Sequence, residues 1–223
     1  MSKQLPLFPL STVLFPGLSL PLHIFEDHYR LLIRNLIESP KKTPPRFGVV
    51  TVKHGQPAGS SPLETLYEIG CTAELLRAHT YDDGHFDIVV TGENRFLLHR
   101  IDNSRPYFQG EVEFLDEQMG HDAIALAPEV AQLFRNYRAL VLAAQGQFEE
   151  TPLWFPDDPV VVSYLVAAAT VLPLPDKHKL LAATDAAARL KHESELLQQE
   201  IAILKRLPSL PAVELLRRVA SLN

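Results

Sequence analysis

"LPLFPLSTVLFPGLSLPLHIF", residues 5–25, runs for 21 positions without a formal charge, long enough on paper to cross a bilayer core of about 30 Å. Four prolines, Pro6, Pro9, Pro16 and Pro21, remove that reading, because each lacks an amide hydrogen and pushes its predecessor toward extended geometry. A spanning helix does not survive them. A secretory signal fits no better: only Lys3 precedes the run, prolines interrupt it throughout, and no small-x-small cleavage site follows. Read as extended chain, the stretch forms one strand over 5–10, a turn at Phe15-Pro16-Gly17 and a second strand over 18–24, the prolines marking edges or bulges. It is therefore expected to belong to the fold itself and to open a β-rich half.

Outward from this stretch, composition changes character near residue 118. Before it, short β-rich runs alternate with turn signals. After it, alanine, leucine and glutamate recur at helical spacing. Within the first half, "FEDHYRLLIRNLIES" places Tyr29, Leu32, Ile33, Leu36 and Ile37 on one stripe and predicts a helix that packs on a sheet. "RFGVVTVK" predicts a strand buried on both faces. Asp82-Asp83-Gly84 joins two strand-like runs, and Asp-Gly predicts a tight hairpin with positive φ at both central residues. Further turns are predicted at Gly92 to Asn94 and at Asn103 to Pro106. Six or seven short strands and one helix point to a small, partly closed barrel rather than a βαβ sheet.

In the second half a helix is predicted over 123–145, with Val130, Phe134, Tyr137 and Val141 on its apolar side. "GQFEETPLWFPDDP" reads as a loop. Asp158 then caps "VVVSYLVAAATVL", with Pro159 at the first helical position, and this segment is apolar nearly all round, as for the buried centre of a helical cluster. A short helix is predicted around 176–183, a long one over 186–207 capped by Thr184 or Asp185, and a last one over 211–222. The fold class is thus α+β, with residues 1–118 as a β-barrel domain and 119–223 as a helical subdomain.

The 223 residues carry 46% hydrophobic side chains and a net charge of −6, so the chain can build a core and lacks the basic excess of a phosphate-binding surface. The single cysteine, Cys71, cannot form an internal disulfide, which places the expected compartment in a reducing cytoplasm. It lies mid-strand between Gly70 and Thr72 and reads as an inert buried thiol. Nucleotide-binding loops, nucleophile elbows and HExxH motifs are absent, and no histidine pair has metal-ligand spacing on a helix. No catalytic residue, cofactor or metal is therefore expected. Asp82-Asp83, Glu149-Glu150 and Asp157-Asp158 read as turn and capping residues, and the basic run at 40–46 as a solvated loop.

Apolar residues also stand where periodicity does not demand them. Leu153, Trp154 and Phe155 lie in a proline-bounded connector, and Phe15 caps a turn. Such side chains either fold over a core or domain seam or form a surface for extended apolar segments, so these four are the candidate polypeptide-binding residues.

The opening segment, "LPLFPLSTVLFPGLSLPLHIFEDHYRLLI", closely resembles the start of the Lon protease N-terminal, substrate-binding domain. "FGVV", "YEIGCTAEL", the "DDG" hairpin, "VTGENRF" and "LVAAATVLPLPDKHKLLAATDAAARL" follow in the family's order, so the resemblance covers nearly the whole chain. It implies a PUA-like barrel followed by a helical bundle, in the stand-alone bacterial form of that domain, without ATPase or peptidase. The implied function is a non-catalytic module for unfolded or extended polypeptides, linked to protein quality control, with a protease or chaperone as candidate partner. An enzyme or small-ligand binder with a pocket at the domain seam, and a PUA-like RNA binder, are the alternative readings; the acidic balance weighs against the second.

Overall fold

Extended segments dominate the first half of the computed structural model, which describes residues 3–38, 44–53, 55, 61–147 and 153–206. Strands β1 (Lys3–Leu10), β2 (Ser19–Ile24), β3 (Arg46–Thr51), β4 (Ile69–Thr80), β5 (Phe86–Asp102) and β6 (Gln109–Phe114) form one sheet in the order β2-β5-β4-β3-β1-β6. Strand β5 is long enough to serve twice. Its first part pairs with β2 and β4, and its last part pairs with β6, which closes the sheet on itself and leaves β2 as an outer strand.

Helix α1 (Asp27–Glu38) packs Leu32 and Ile33 against Phe8, Phe47, Val49 and Ile88, while Leu7, Val50, Phe96, Leu98 and Val112 form the cluster on the other side of the strands. Val49 and Val50 thus point into different apolar clusters, which explains the unbroken apolar run of β3. The hairpin at Asp82-Asp83-Gly84 forms as expected, but its turn differs. Only Gly84 has positive φ, and Tyr81 N–H donates to His85 O while Gly84 N–H donates to Tyr81 O, so the loop is longer than a two-residue turn. Gly92 is not a turn either. β5 runs through it, because the Phe15 to Leu18 segment crosses there: Gly17 N–H donates to Gly92 O and Gly92 N–H donates to Leu18 O. A Cβ on Gly92 would collide with the Phe15 carbonyl oxygen, so glycine marks a close backbone approach.

After a single helical turn, α2 (Pro62–Thr65), and the strands that follow it, come α3 (Ala123–Ala144), α4 (Pro159–Ala169), α5 (Leu174–Leu181) and α6 (Ala186–Arg206). Asp158 accepts from Val160 N–H and caps α4 with Pro159 at its start, and Asp185 accepts from Ala188 N–H at the start of α6. Helix α5 begins at Leu174, earlier than expected, with Pro173 in place of a side-chain cap and Pro175 within its first turn. The helix expected over 211–222, Glu149-Glu150 and most of the basic run at 40–46 lie outside the described residues. Among the described residues no helix is long and apolar enough to cross a membrane.

Two kinds of contact join helices to barrel. Val13 and Phe15 meet Tyr164, Ala167, Leu180 and Leu181 in one buried apolar cluster. Beside it, Arg95 of β5 donates to the carbonyls of Leu181 and Ala183. Its Nε lies 3.0 Å from Glu117 Oε2 as an ion pair, without hydrogen-bond alignment.

Candidate functional site

Helix α4 shows how the site is made. Its buried side carries Val162 and Val166, so residues spaced by four on the opposite side, Val161, Leu165 and Ala169, form an apolar ridge away from that core. Cavities lie on both sides of this ridge and share Leu165. One, about 390 Å³, is walled by Phe134, Tyr137 and Val141 of α3 and by Leu153, Trp154 and Phe155 of the connector. The other, about 350 Å³, lies at the barrel seam between Leu18, Glu93 and Arg95 on one side and Val161 and Tyr164 on the other.

The four candidate residues divide. Leu153 and Phe155 fold onto the helical core, where the Phe155 ring meets Phe134 edge-on at 6.0 Å and lies under the Arg135 guanidinium at 5.3 Å. Arg135 Nε also donates to Leu153 O at 3.2 Å, which pins the connector to α3. Trp154 does not fold down; it is 78% exposed at the cavity wall. Phe15 is elsewhere. It is 2% exposed, tilted against Tyr164 at 6.2 Å, and it belongs to the seam core rather than to a surface that a partner could touch. The structure brings Leu153, Trp154 and Phe155 to one cavity and separates Phe15 from them.

The floor of the seam cavity is a network that the sequence reading missed. Arg189 of α6 is fully buried and donates to Leu180 O, Ser163 Oγ, Tyr164 Oη and Glu117 Oε1 at 2.8–3.0 Å. Its guanidinium carbon also lies 3.9 Å from the Tyr164 ring centroid. Tyr164 in turn donates to Glu117 Oε2. Burial is the main cause that pushes the Tyr164 hydroxyl up, with Arg189 opposing it. Arg189 and Glu193 fall on the stripe of Ala186, Leu190 and Leu197, and charged residues on an apolar helix face are the signal that could have revealed the network. At the rim, Arg46 bridges Glu74 and Glu93 at 2.7–3.1 Å, and burial, together with a hydrogen bond that the Glu93 carboxyl donates to Glu74 when protonated, raises the Glu93 pKa against the pull of Arg46. His178 is a further seam contact: it stacks on Tyr67 at 3.9 Å and lies 3.0 Å from Ile69 O, with burial lowering its pKa.

Cys71 is buried on β4 and burial pushes its thiol up to about 12, so it is no thiolate nucleophile. No group of three or more His, Cys, Asp or Glu side chains among the described residues has the geometry to hold a metal ion.

A closed barrel carrying a helical cluster, with an open apolar cleft along one helix, defines a binding type of module. Comparison with known proteins says which. Residues 4–199 match the ATP-dependent protease La (LON) substrate-binding domain, and the chain belongs to that family. Relatives include Lon protease 2 of Myxococcus xanthus, 26% identical over 91% of this chain, and Lon protease of Anaeromyxobacter dehalogenans, 26% identical over 90%. The chain spans only 24% of the length of each. The fold is shared with the Lon N-terminal domain protein from Xanthomonas campestris, at TM-score 0.56 and 24% identity over 85% of this chain and 95% of that one. It is shared too with the N-terminal domain of Mycobacterium avium complex Lon protease, at TM-score 0.62 and 19% identity over 90% and 98%.

Proposed function

We propose that this chain is a non-catalytic module that captures extended apolar segments of polypeptides along the outer face of α4 and holds them for proteolysis or refolding by a partner. The observation that carries the reading is the apolar ridge of Val161, Leu165 and Ala169 between two cavities, with Trp154 exposed at one wall. Side chains on one face of an extended peptide can enter the cavities on either side of this ridge, and one or two aromatic anchors dominate such interfaces. Membership of the Lon substrate-binding family supports the polypeptide as ligand and proteolysis as context. The non-catalytic reading is supported by the seam groups: Arg95, Arg189, Tyr164 and Glu117 are engaged with one another, and among the described residues no paired nucleophile and base faces the cleft. The same pairing weighs against a small polar ligand in the seam cavity. The net charge of −6 weighs against RNA.

Trp154 is the only tryptophan, so it reports its own occupancy. Titration with a labelled apolar peptide is expected to shift its emission to the blue as the indole leaves water. Trp154→Ala is expected to weaken capture, read by peptide anisotropy, by about 30-fold, equivalent to roughly 2 kcal/mol. Unchanged capture by the alanine variant would remove this site, and cleavage of the bound peptide would end the non-catalytic reading.

A further inference from the structure

The cleft is not electrically neutral along its length. Glu93, Asp116 and Glu117 all line the cavity at the seam end, beside Leu18, Val161 and Leu165. Both oxygens of Glu117 are occupied by Arg189, Arg95 and Tyr164. Glu93 shares the single guanidinium of Arg46 with Glu74, two carboxyl groups on one cation. Asp116 is exposed and makes no hydrogen bond or ion pair among the described residues. Four carboxyl groups, Glu74, Glu93, Asp116 and Glu117, thus face three guanidinium groups, and the next charges along the chain at this end of α4 are Asp157 and Asp158. The uncompensated charge sits at the mouth while the wall beside it is apolar.

We infer that the seam end of the cleft selects segments in which a lysine or arginine adjoins apolar side chains. The inference rests on the polypeptide-binding reading and names the class of segment it takes. An apolar side chain enters beside Val161 and Leu165, and the neighbouring cation reaches the exposed Asp116, while the Glu93 carboxyl, held at both oxygens by Arg46, adds its negative charge from behind. A glutamate in the same place meets like charge, and the long aliphatic stem of lysine or arginine can lie along the apolar wall while its head stays at the rim.

The test uses the full chain and three labelled peptides with one apolar core, flanked by lysine, glutamine or glutamate, read by anisotropy. The lysine peptide is expected to bind about five-fold more tightly than the glutamine peptide, with the glutamate peptide weakest and the spread shrinking at high salt. Asp116→Asn together with Glu93→Gln is expected to bring the lysine-to-glutamate affinity ratio close to one. Asp116→Lys, which alters only an exposed side chain, is expected to favour glutamate. Equal affinity of the parent chain for all three peptides, or a ratio untouched by Asp116→Lys, overturns the inference and leaves the polypeptide-binding reading standing. Failure to bind any of the three overturns both.

Discussion

At Glu193 both carboxyl oxygens are buried on α6 without a hydrogen-bond partner among the described residues, one helical turn beyond Arg189. Burial holds this carboxyl well above the usual range, and the nearby Arg189 charge only partly opposes it. An acid whose folded pKa is raised contributes stability below its unfolded value, about 4.3, and loses it as pH rises toward the folded value. Glu193→Met removes the unpaired oxygens while keeping the side-chain length. The variant is expected to be more stable than the parent by about 1 kcal/mol at pH 7.5, and by less at pH 4.5, in urea denaturation. A loss of stability at pH 7.5 would mean that the carboxyl has a partner. Gly92 makes the opposite case, because the collision of an added Cβ is with backbone: Gly92→Ala is expected to cost about 2–3 kcal/mol. It also shows where residue-level reading stops. Glycine followed by Glu93-Asn94 looks like a turn, and only the crossing of Phe15 to Leu18, more than seventy positions upstream, makes it a strand residue.

Elements whose ends are written locally were legible, and those whose length depends on distant partners were not. Helix α1 follows from its stripe, and α4 from Asp158, Pro159 and an apolar run. The turn expected at Gly92 to Asn94 splits what is one strand, because the 17 residues of β5 are held by β2, β4 and β6 in turn, which no local pattern encodes. The apolar cleft was legible only in part. The connector Leu153-Trp154-Phe155 announced itself, but the ridge of Val161, Leu165 and Ala169 was hidden in a helix apolar on every side, where the burial of one face cannot be told from exposure of the other. Since α4 carries the proposed site, its cap bears on function as well as stability. Asp158→Ala removes the acceptor for Val160 N–H and is expected to cost about 1 kcal/mol, measured as a lower denaturation midpoint. A midpoint equal to the parent's would show that Pro159 alone sets the start of the helix.

Across the whole molecule the question is whether the boundary expected at 118/119, in the connector between β6 and α3, separates two folding units or divides one. The seam argues for one. Val13 and Phe15 are buried among Tyr164, Ala167, Leu180 and Leu181, and Arg95 reaches from β5 to the carbonyls that end α5, so neither half can leave without exposing apolar surface and stranding a buried guanidinium. The chain holds its own probes for this. Cys71, its only cysteine, is buried in the barrel with its thiol pushed up to about 12, and reacts with an alkylating reagent only when β4 opens. Trp154, its only tryptophan, sits on the helical side. Along a urea gradient, Cys71 alkylation and Trp154 emission are expected to change at the same midpoint, as for a two-state transition. Phe15→Ala, which empties the seam core, is expected to lower both midpoints together by about 3–5 kcal/mol of stability. Two separate midpoints in the parent chain would instead divide it near 118/119 into a barrel and a helical unit that fold alone, and the cleft between them would then have to assemble by docking.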